Sequence, residues 1–130
     1  MNTRVMIVDD EPALMRVFVR ALCHHGVDAV GMTDPSAALA AMRAAPFAVL
    51  VTDLSMPSLS GVELVRAVRG AGLAPAVVVM SGSFGQDTER HAAELGAVAW
   101  LEKPVKMARL IEVVRAALGA TPDRGLLSSG

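Results

Sequence analysis

Short, nearly uninterrupted apolar runs alternate along the chain with longer segments in which apolar residues recur every three or four positions. The first pattern is typical of a strand buried on both faces, and the second of an amphipathic helix. The apolar runs predict five strands, at 5–8, 28–32, 48–52, 76–80 and 98–101. The amphipathic segments predict five helices, at 12–24, 35–45, 62–69, 86–95 and 107–118.

Residues that begin and end helices lie at the predicted boundaries. Pro12 and Pro35 suit the first helical turn, and Asp34 suits the N-cap position before Pro35. Gly26 suits the end of the first helix. Five strand–helix units with buried strands predict an α/β fold, an open, doubly wound parallel sheet with helices on both faces.

The size and composition of the chain fit one globular domain. It has 130 residues, of which 53% are apolar, enough for a core of ordinary size. The helical periodicity ends near residue 118, so we predict a domain over residues 1–118 and a tail, or the start of a linker, over residues 119–130. Cys23 lies inside an apolar helical pattern, and we expect it to be a small buried hydrophobic residue.

The charge balance and the absence of long apolar segments exclude some functions. Lys and Arg total 12 against 13 acidic residues, a net charge of -1, whereas nucleic-acid binders usually show a basic balance or stripe. No segment has signal-peptide architecture or the length of a membrane span. We therefore expect a soluble cytoplasmic protein that binds neither nucleic acid nor membrane through this chain.

Polar residues follow directly after four of the five predicted strands. Asp9 and Asp10 follow the first strand, Asp53 the third, Ser81 the fourth and Lys103 the fifth. Because ligands bind beyond the carboxyl ends of parallel strands, we expect these residues to meet at one edge of the sheet. Three crowded carboxylates repel one another unless a cation compensates. Their oxygen atoms suit Mg2+, and phosphate oxygens commonly complete the coordination shell of this ion.

This combination of side chains predicts phosphoryl-transfer chemistry. A carboxylate can act as the nucleophile that forms an acyl phosphate, and the transfer needs neutralised charge at the phosphoryl oxygens more than acid or base catalysis. Mg2+ and Lys103 would supply that charge, and Ser81 could donate a hydrogen bond. Each residue alone has an ordinary explanation as a helix cap, a turn residue or a solvated side chain. The prediction rests on their joint occurrence at the ends of different strands.

Four segments combine these residues with their neighbours: VDDEP at 8–12, TDLSMPSLSG at 52–61, MSG at 80–82 and WLEKP at 100–104. With these segments in this order, the chain resembles the receiver domain of two-component response regulators over nearly its whole length, about residues 4–118. The resemblance implies a flavodoxin-like fold with strand order 2-1-3-4-5 and Asp53 as the phosphoacceptor. It further implies that Mg2+ is held by Asp9, Asp10, Asp53 and the main-chain carbonyl of Ser55.

The resemblance also implies the partners and the switch. A histidine kinase or a histidine phosphotransfer protein would be the phosphodonor, and another protein the downstream target. Lys103 would contact the phosphoryl group, and the bond before Pro104 would be cis. The Ser81 hydroxyl would move toward the phosphoryl group while an aromatic residue on strand five changes rotamer. That residue is Trp100, where Tyr or Phe is more usual. The alternatives to a rotamer change are that Trp100 serves as a fixed contact or only as ordinary packing.

Other functions agree less well with these residues. A pseudo-receiver that binds its partners constitutively is the main alternative. Such a protein would lack either an acidic residue of the site, such as Asp53, or Lys103. A hydrolase of the haloacid dehalogenase type would carry a second Asp where this chain has Ser55. A flavin-binding protein would need a phosphate-cradling loop where Asp9 and Asp10 would repel phosphate. We therefore predict a phosphoacceptor and not a turnover enzyme.

The first predicted helix is apolar on more than one face, whereas a surface helix normally has a single apolar stripe. We hypothesise that Met15 and Val19, beside the main stripe, are partly exposed and help to dock the phosphodonor. A wide buried face is the competing interpretation. The main apolar stripe, which we expect to be buried, consists of Leu14, Val17, Phe18, Ala21 and Leu22.

Overall fold

A computed structural model of the chain describes residues 3–54, 61–82, 90 and 92–119. Five parallel strands form one sheet in the order β2-β1-β3-β4-β5, as predicted. The strands are β1 (Arg4–Val8), β2 (Asp28–Met32), β3 (Val49–Asp53), β4 (Ala76–Ser81) and β5 (Ala99–Glu102). The helices with complete bounds are α1 (Pro12–His24), α2 (Pro35–Ala44), α3 (Gly61–Gly70) and α4 (Met107–Gly119).

Helices cover both faces of this sheet, which explains why its strands read as apolar runs. Successive side chains of a strand point to opposite faces, so each strand contributes to two separate apolar layers. One layer packs the sheet against α1 and α4, through side chains such as Phe18, Leu22, Leu110 and Val114. The other packs it against α2, α3 and residues 92–95, through Met42, Leu64, Val65, Ala92 and Leu95.

The predicted element boundaries are confirmed to within one residue wherever the structure gives both ends. The Asp34 carboxylate accepts a hydrogen bond from the Ser36 backbone N–H at 3.0 Å, and it therefore caps α2 as expected. Gly26, after α1, has a φ of 81°, a left-handed conformation that glycine adopts without strain. Of the predicted helix 86–95, residues 90 and 92–94 are described and helical. The predicted tail, apart from Gly119, lies outside the described residues.

The burial predicted for α1 is wrong at two positions. Val17 is 52% exposed, and Cys23 is also exposed, with its thiol 3.7 Å from the Ala29 carbonyl oxygen. Successive helical residues are rotated by roughly 100°, so both side chains point away from the buried direction of Phe18 and Leu22. The sequence pattern did not distinguish the solvent face of α1 from its buried face, because apolar residues lie on both. An apolar residue is not necessarily a buried one.

Met15 and Val19 are both half-buried, in agreement with the expected partial exposure. Both side chains lie over Gly31 of the edge strand β2. A Cβ atom at Gly31 would lie only 2.1 Å from the Met15 Sδ and 2.7 Å from the Val19 Cγ2. The absence of a side chain at Gly31 therefore lets α1 approach β2 closely. The docking role of Met15 and Val19 stays a prediction.

Within the described part of the chain, no helix combines the length and the apolar character that crossing a bilayer requires.

The orientation of α1 can be tested by truncating two neighbouring side chains. Phe18→Ala should lower the free energy of unfolding by about 3–5 kcal/mol, because it removes a fully buried ring and leaves a cavity. Val17→Ala, on the exposed side, should change it by no more than about 0.5 kcal/mol. Urea unfolding of the two variants measures both values. Similar losses for the two would mean that α1 is rotated relative to this structure.

Candidate functional site

The carboxyl ends of β1, β3, β4 and β5 lie along one edge of the sheet. The parallel registers pair Val8 with Thr52, and Asp53 with Met80. Asp9 directly follows β1, Asp53 is the last residue of β3, and Lys103 directly follows β5. Neighbouring strands therefore present these charged residues at the same level, although they are far apart in the sequence.

Lys103 bridges two carboxylates at this edge. Its Nζ lies 2.8 Å from Asp9 Oδ2 and 2.8 Å from Asp53 Oδ2, both hydrogen-bonding distances. The Asp9 side chain is fully buried, the Asp53 side chain is 5% exposed, and the Lys103 side chain is 17% exposed. Buried carboxylates require a compensating charge, and Lys103 provides it for both.

The surroundings of Lys103 stabilise its charged form. Burial by itself lowers the pKa of the Lys103 ammonium, since it removes water from the charge. The hydrogen bonds with Asp53 and Asp9, together with the negative charges of the two carboxylates, outweigh that effect, so the pKa of Lys103 lies above its usual value of 10.5. Lys103 is thus a cation throughout the neutral pH range.

Asp9 also contacts the start of α1. Its Oδ1 accepts a hydrogen bond from the backbone N–H of Glu11 at 3.0 Å, while its Oδ2 accepts from Lys103. Glu11 is the N-cap residue of α1, and its own side chain makes no capping hydrogen bond. Asp9 therefore connects the beginning of α1 to the cation that follows β5.

Asp10 completes a cluster of three carboxylates. Ligand oxygens of Asp9, Asp10 and Asp53 all lie within 4.8 Å of one another. Asp10 is exposed, so solvent reaches the cluster on its side. The cluster offers only carboxylate oxygens, which hard divalent cations such as Mg2+ prefer. The residues present therefore fit a Mg2+ site, and the fourth predicted ligand, the Ser55 carbonyl, lies outside the described residues.

The switch residues predicted from the resemblance lie on β4 and β5, the two strands at the Lys103 end of the sheet. Ser81 ends β4 and is buried, and its carbonyl oxygen accepts a hydrogen bond from the Lys103 backbone N–H at 2.8 Å. Trp100 is half-buried and packs against the apolar layer that includes Val79, its register partner on β4. Because Val79 and Ser81 are two residues apart on one strand, Ser81 and Trp100 face the same side of the sheet. The Lys103–Pro104 peptide bond is cis.

Two further residues contact the phosphoacceptor candidate, and sequence reasoning assigned them no role. The Thr52 hydroxyl donates a hydrogen bond to the Asp53 carbonyl oxygen at 3.2 Å. Gly61, the first residue of α3, lies so close that a Cβ there would be 2.2 Å from the same oxygen. The sequence signal for Thr52 was a hydroxyl at the end of an otherwise apolar run, but nothing in the sequence indicates the contact of Gly61.

Removing the charge of Lys103 should destabilise the protein in a pH-dependent way. Lys103→Met leaves Asp9 and Asp53 without a counter-charge, and we expect a loss of about 2 kcal/mol in the free energy of unfolding at pH 7. Because the pKa of Lys103 is raised on folding, this contribution should be complete below the unfolded-state pKa. It should disappear as the pH rises through the higher folded-state pKa.

Urea unfolding of the wild type and Lys103→Met between pH 7 and pH 11 measures this difference. Lys106→Met is the matched control, since Lys106 is exposed and its loss should cost no more than about 0.5 kcal/mol. A loss for Lys103→Met at pH 7 as small as that of the control would contradict the proposed bridge.

Comparison with known proteins agrees with this geometry. The family profile of the response regulator receiver domain matches residues 5–115. The transcriptional regulatory protein FixJ of Azorhizobium caulinodans is 34% identical over 93% of this chain and 57% of its own length. The transcriptional regulatory protein KdpE of Mycobacterium tuberculosis is 30% identical over 89% of this chain and 51% of its length. The chain thus spans about half the length of these relatives.

Solved structures give the same result. The crystal structure of FixJ-N superposes with a TM-score of 0.84 at 30% identity, and the match covers 95% of this chain and 99% of that one. The receiver domain of the Francisella response regulator 1452 gives a TM-score of 0.83 at 23% identity, over 90% and 97% of the two chains, which supports the fold alone. Together with the family profile, these matches show that the chain belongs to the receiver domain family of two-component response regulators.

Proposed function

We propose that this chain is a cytoplasmic phosphoacceptor module of a two-component phosphorelay, in which Asp53 accepts a phosphoryl group in a Mg2+-dependent reaction. The observation that carries the proposal is the position of Asp53 within the cluster. Its carboxylate is grouped with those of Asp9 and Asp10 within 4.8 Å and lies 2.8 Å from the Lys103 ammonium. The phosphodonor would be a histidine kinase or a histidine phosphotransfer protein.

The reaction is a single displacement at phosphorus. An oxygen of the Asp53 carboxylate forms a bond to phosphorus, and the bond between phosphorus and the donor's imidazole nitrogen breaks. Asp10 and Asp53 would hold Mg2+, with contributions from Asp9 and the Ser55 carbonyl. When bound, the cation would neutralise negative charge on the phosphoryl oxygens. Lys103 is already beside Asp53 and would pair with a phosphoryl oxygen once the carboxylate has become an acyl phosphate, a mixed anhydride.

Phosphorylation would then change the surface around β5. The Ser81 hydroxyl would donate a hydrogen bond to the new phosphoryl group, and Trp100, on the same face of the sheet, would respond to that shift or serve as a fixed contact. The added local charge biases a two-state element. The module would signal through protein contact and would not turn over a substrate. A pseudo-receiver with constitutive binding is the alternative.

The proposal is tested by intact-mass measurement after incubation with a small acyl-phosphate donor. Wild type with Mg2+ should gain one phosphoryl group, because Asp53 and the cation site act together. Wild type without Mg2+ and Asp53→Asn with Mg2+ should remain unlabelled. Asp28→Asn is the matched control: Asp28 is exposed at the start of β2, so this variant should be labelled as the wild type is. A well-folded wild type that gains no adduct would favour the pseudo-receiver.

A second prediction concerns Asp10 and follows from the excess of negative charge in the cluster. Asp10→Asn removes one of three crowded carboxylates, so without Mg2+ it should raise the free energy of unfolding by about 1 kcal/mol. The same change should abolish most of the stabilisation that Mg2+ gives the wild type. Thermal unfolding with and without Mg2+ measures both effects, with Asp28→Asn again as the control. An Asp10→Asn variant that Mg2+ stabilises as strongly as the wild type would exclude Asp10 as a ligand.

A further inference from the structure

The peptide group between Asp53 and Leu54 is held by contacts on both sides. Its N–H, from Leu54, donates a hydrogen bond to the Met80 carbonyl oxygen on β4 at 2.8 Å. Its carbonyl oxygen, from Asp53, accepts from the Thr52 hydroxyl at 3.2 Å. The first residue of α3 closes the remaining space, because a Cβ at Gly61 would lie 2.2 Å from that oxygen and 2.8 Å from the Leu54 Cα.

We propose that Thr52 is a positioning residue for phosphoryl transfer, whose hydroxyl orients the Asp53 carboxylate through the Asp53 carbonyl group. The proposal rests on the proposed function of Asp53 and adds a residue to which that function assigns no part. Thr52 touches neither the carboxylate cluster nor the lysine in any described hydrogen bond, and it acts only through the main chain of Asp53.

Packing alone does not explain a threonine at this position. Thr52 is fully buried, and its register partners on both neighbouring strands are valines, Val8 and Val79. A valine has nearly the same shape as threonine and carries no hydroxyl that must be desolvated, so burial favours valine here. The hydroxyl is accommodated because it finds one acceptor, and that acceptor belongs to the phosphoacceptor residue.

The orientation of Asp53 matters because the reaction depends on placement. The carboxylate must stay in register with Lys103 on one side and the cation ligands on the other, and phosphoryl transfer gains most of its rate from positioning and charge. The Asp53 carbonyl carbon and the Asp53 side chain are bonded to one Cα atom, so a shift of the peptide group that displaces this atom also moves the carboxylate. The Gly61 backbone leaves little space beside the carbonyl oxygen, and the Thr52 hydroxyl donates a hydrogen bond to it, so both oppose such a shift.

The experiment compares the kinetics of phosphorylation by a small acyl-phosphate donor in Thr52→Val and Thr52→Ser. The readout is the labelling rate at saturating Mg2+ as a function of donor concentration. Thr52→Val should lower the maximum rate about fivefold, the factor that corresponds to one hydrogen bond of ordinary strength, while the donor concentration for half-maximal rate stays the same. Thr52→Ser, which keeps the hydroxyl, should label within about twofold of the wild-type rate.

Two controls separate positioning from stability and from the proposed function itself. Val51→Ala removes buried atoms from the same strand, on the opposite face. It should lower the denaturant midpoint yet label at the wild-type rate, provided that it is folded under the assay conditions. Asp53→Asn reports whether labelling depends on Asp53 at all.

Each result decides one of the two claims. Loss of rate in Thr52→Val, recovery in Thr52→Ser and no change in Val51→Ala would establish the positioning role. Wild-type rates in Thr52→Val, or equal losses in the Val and Ser variants, would overturn it and leave the phosphoacceptor function intact. A wild type that is not labelled, or an Asp53→Asn variant that is, would refute the proposed function and the inference with it.

Discussion

The ammonium group of Lys103 lies between Asp9 and Asp53, 2.8 Å from an oxygen of each. Both carboxylates are buried, and the ammonium group offsets the hydration that burial removes from them. The three residues follow or end β1, β3 and β5, and the parallel strands bring them together at one edge of the sheet. The Lys103 bridge connects the middle of the sheet to its β5 edge at the level where the carboxylate cluster lies.

The bridge leaves the site with an excess of negative charge. Among the described residues, Lys103 contacts two of the three carboxylates, and the third, Asp10, is on the solvent-exposed side of the cluster. A second lysine beside the carboxylate cluster would make the unliganded protein more stable. It would also neutralise the negative charge that attracts a divalent cation. Stability given up at a binding site in this way is common among functional proteins. The proposed Mg2+ site and the electrostatic repulsion among the carboxylates are therefore two consequences of the same cluster of charges.

The sequence alone was sufficient to predict the fold and the clustering of the charged residues. One physical property of parallel sheets explains why. In a parallel sheet the carboxyl ends of all strands face the same edge, so Asp9, Asp53 and Lys103 could be placed together once the apolar runs were recognised. The orientation of α1 was harder to predict. Val17 and Cys23 are apolar residues on its solvent side, and periodicity alone does not separate them from the residues that meet the sheet.

The contacts that depend on three-dimensional approach were not predictable from the sequence. The distance between Gly61 and the Asp53 carbonyl depends on where α3 begins relative to β3. The two oxygens of Asp9 have different partners, Glu11 and Lys103, and a strand-end position does not specify either. These contacts surround Asp53 and Asp9, the residues on which the proposed function depends.

The most direct test of this account is to identify the residue that carries the phosphoryl group. After labelling with a small acyl-phosphate donor and Mg2+, reduction with borohydride converts an aspartyl phosphate to homoserine, which peptide mass spectrometry locates in the sequence. The account predicts homoserine at position 53, with unmodified aspartate at positions 9 and 10. Homoserine at position 9 or 10, or none in a protein that does gain a phosphoryl group, would contradict it.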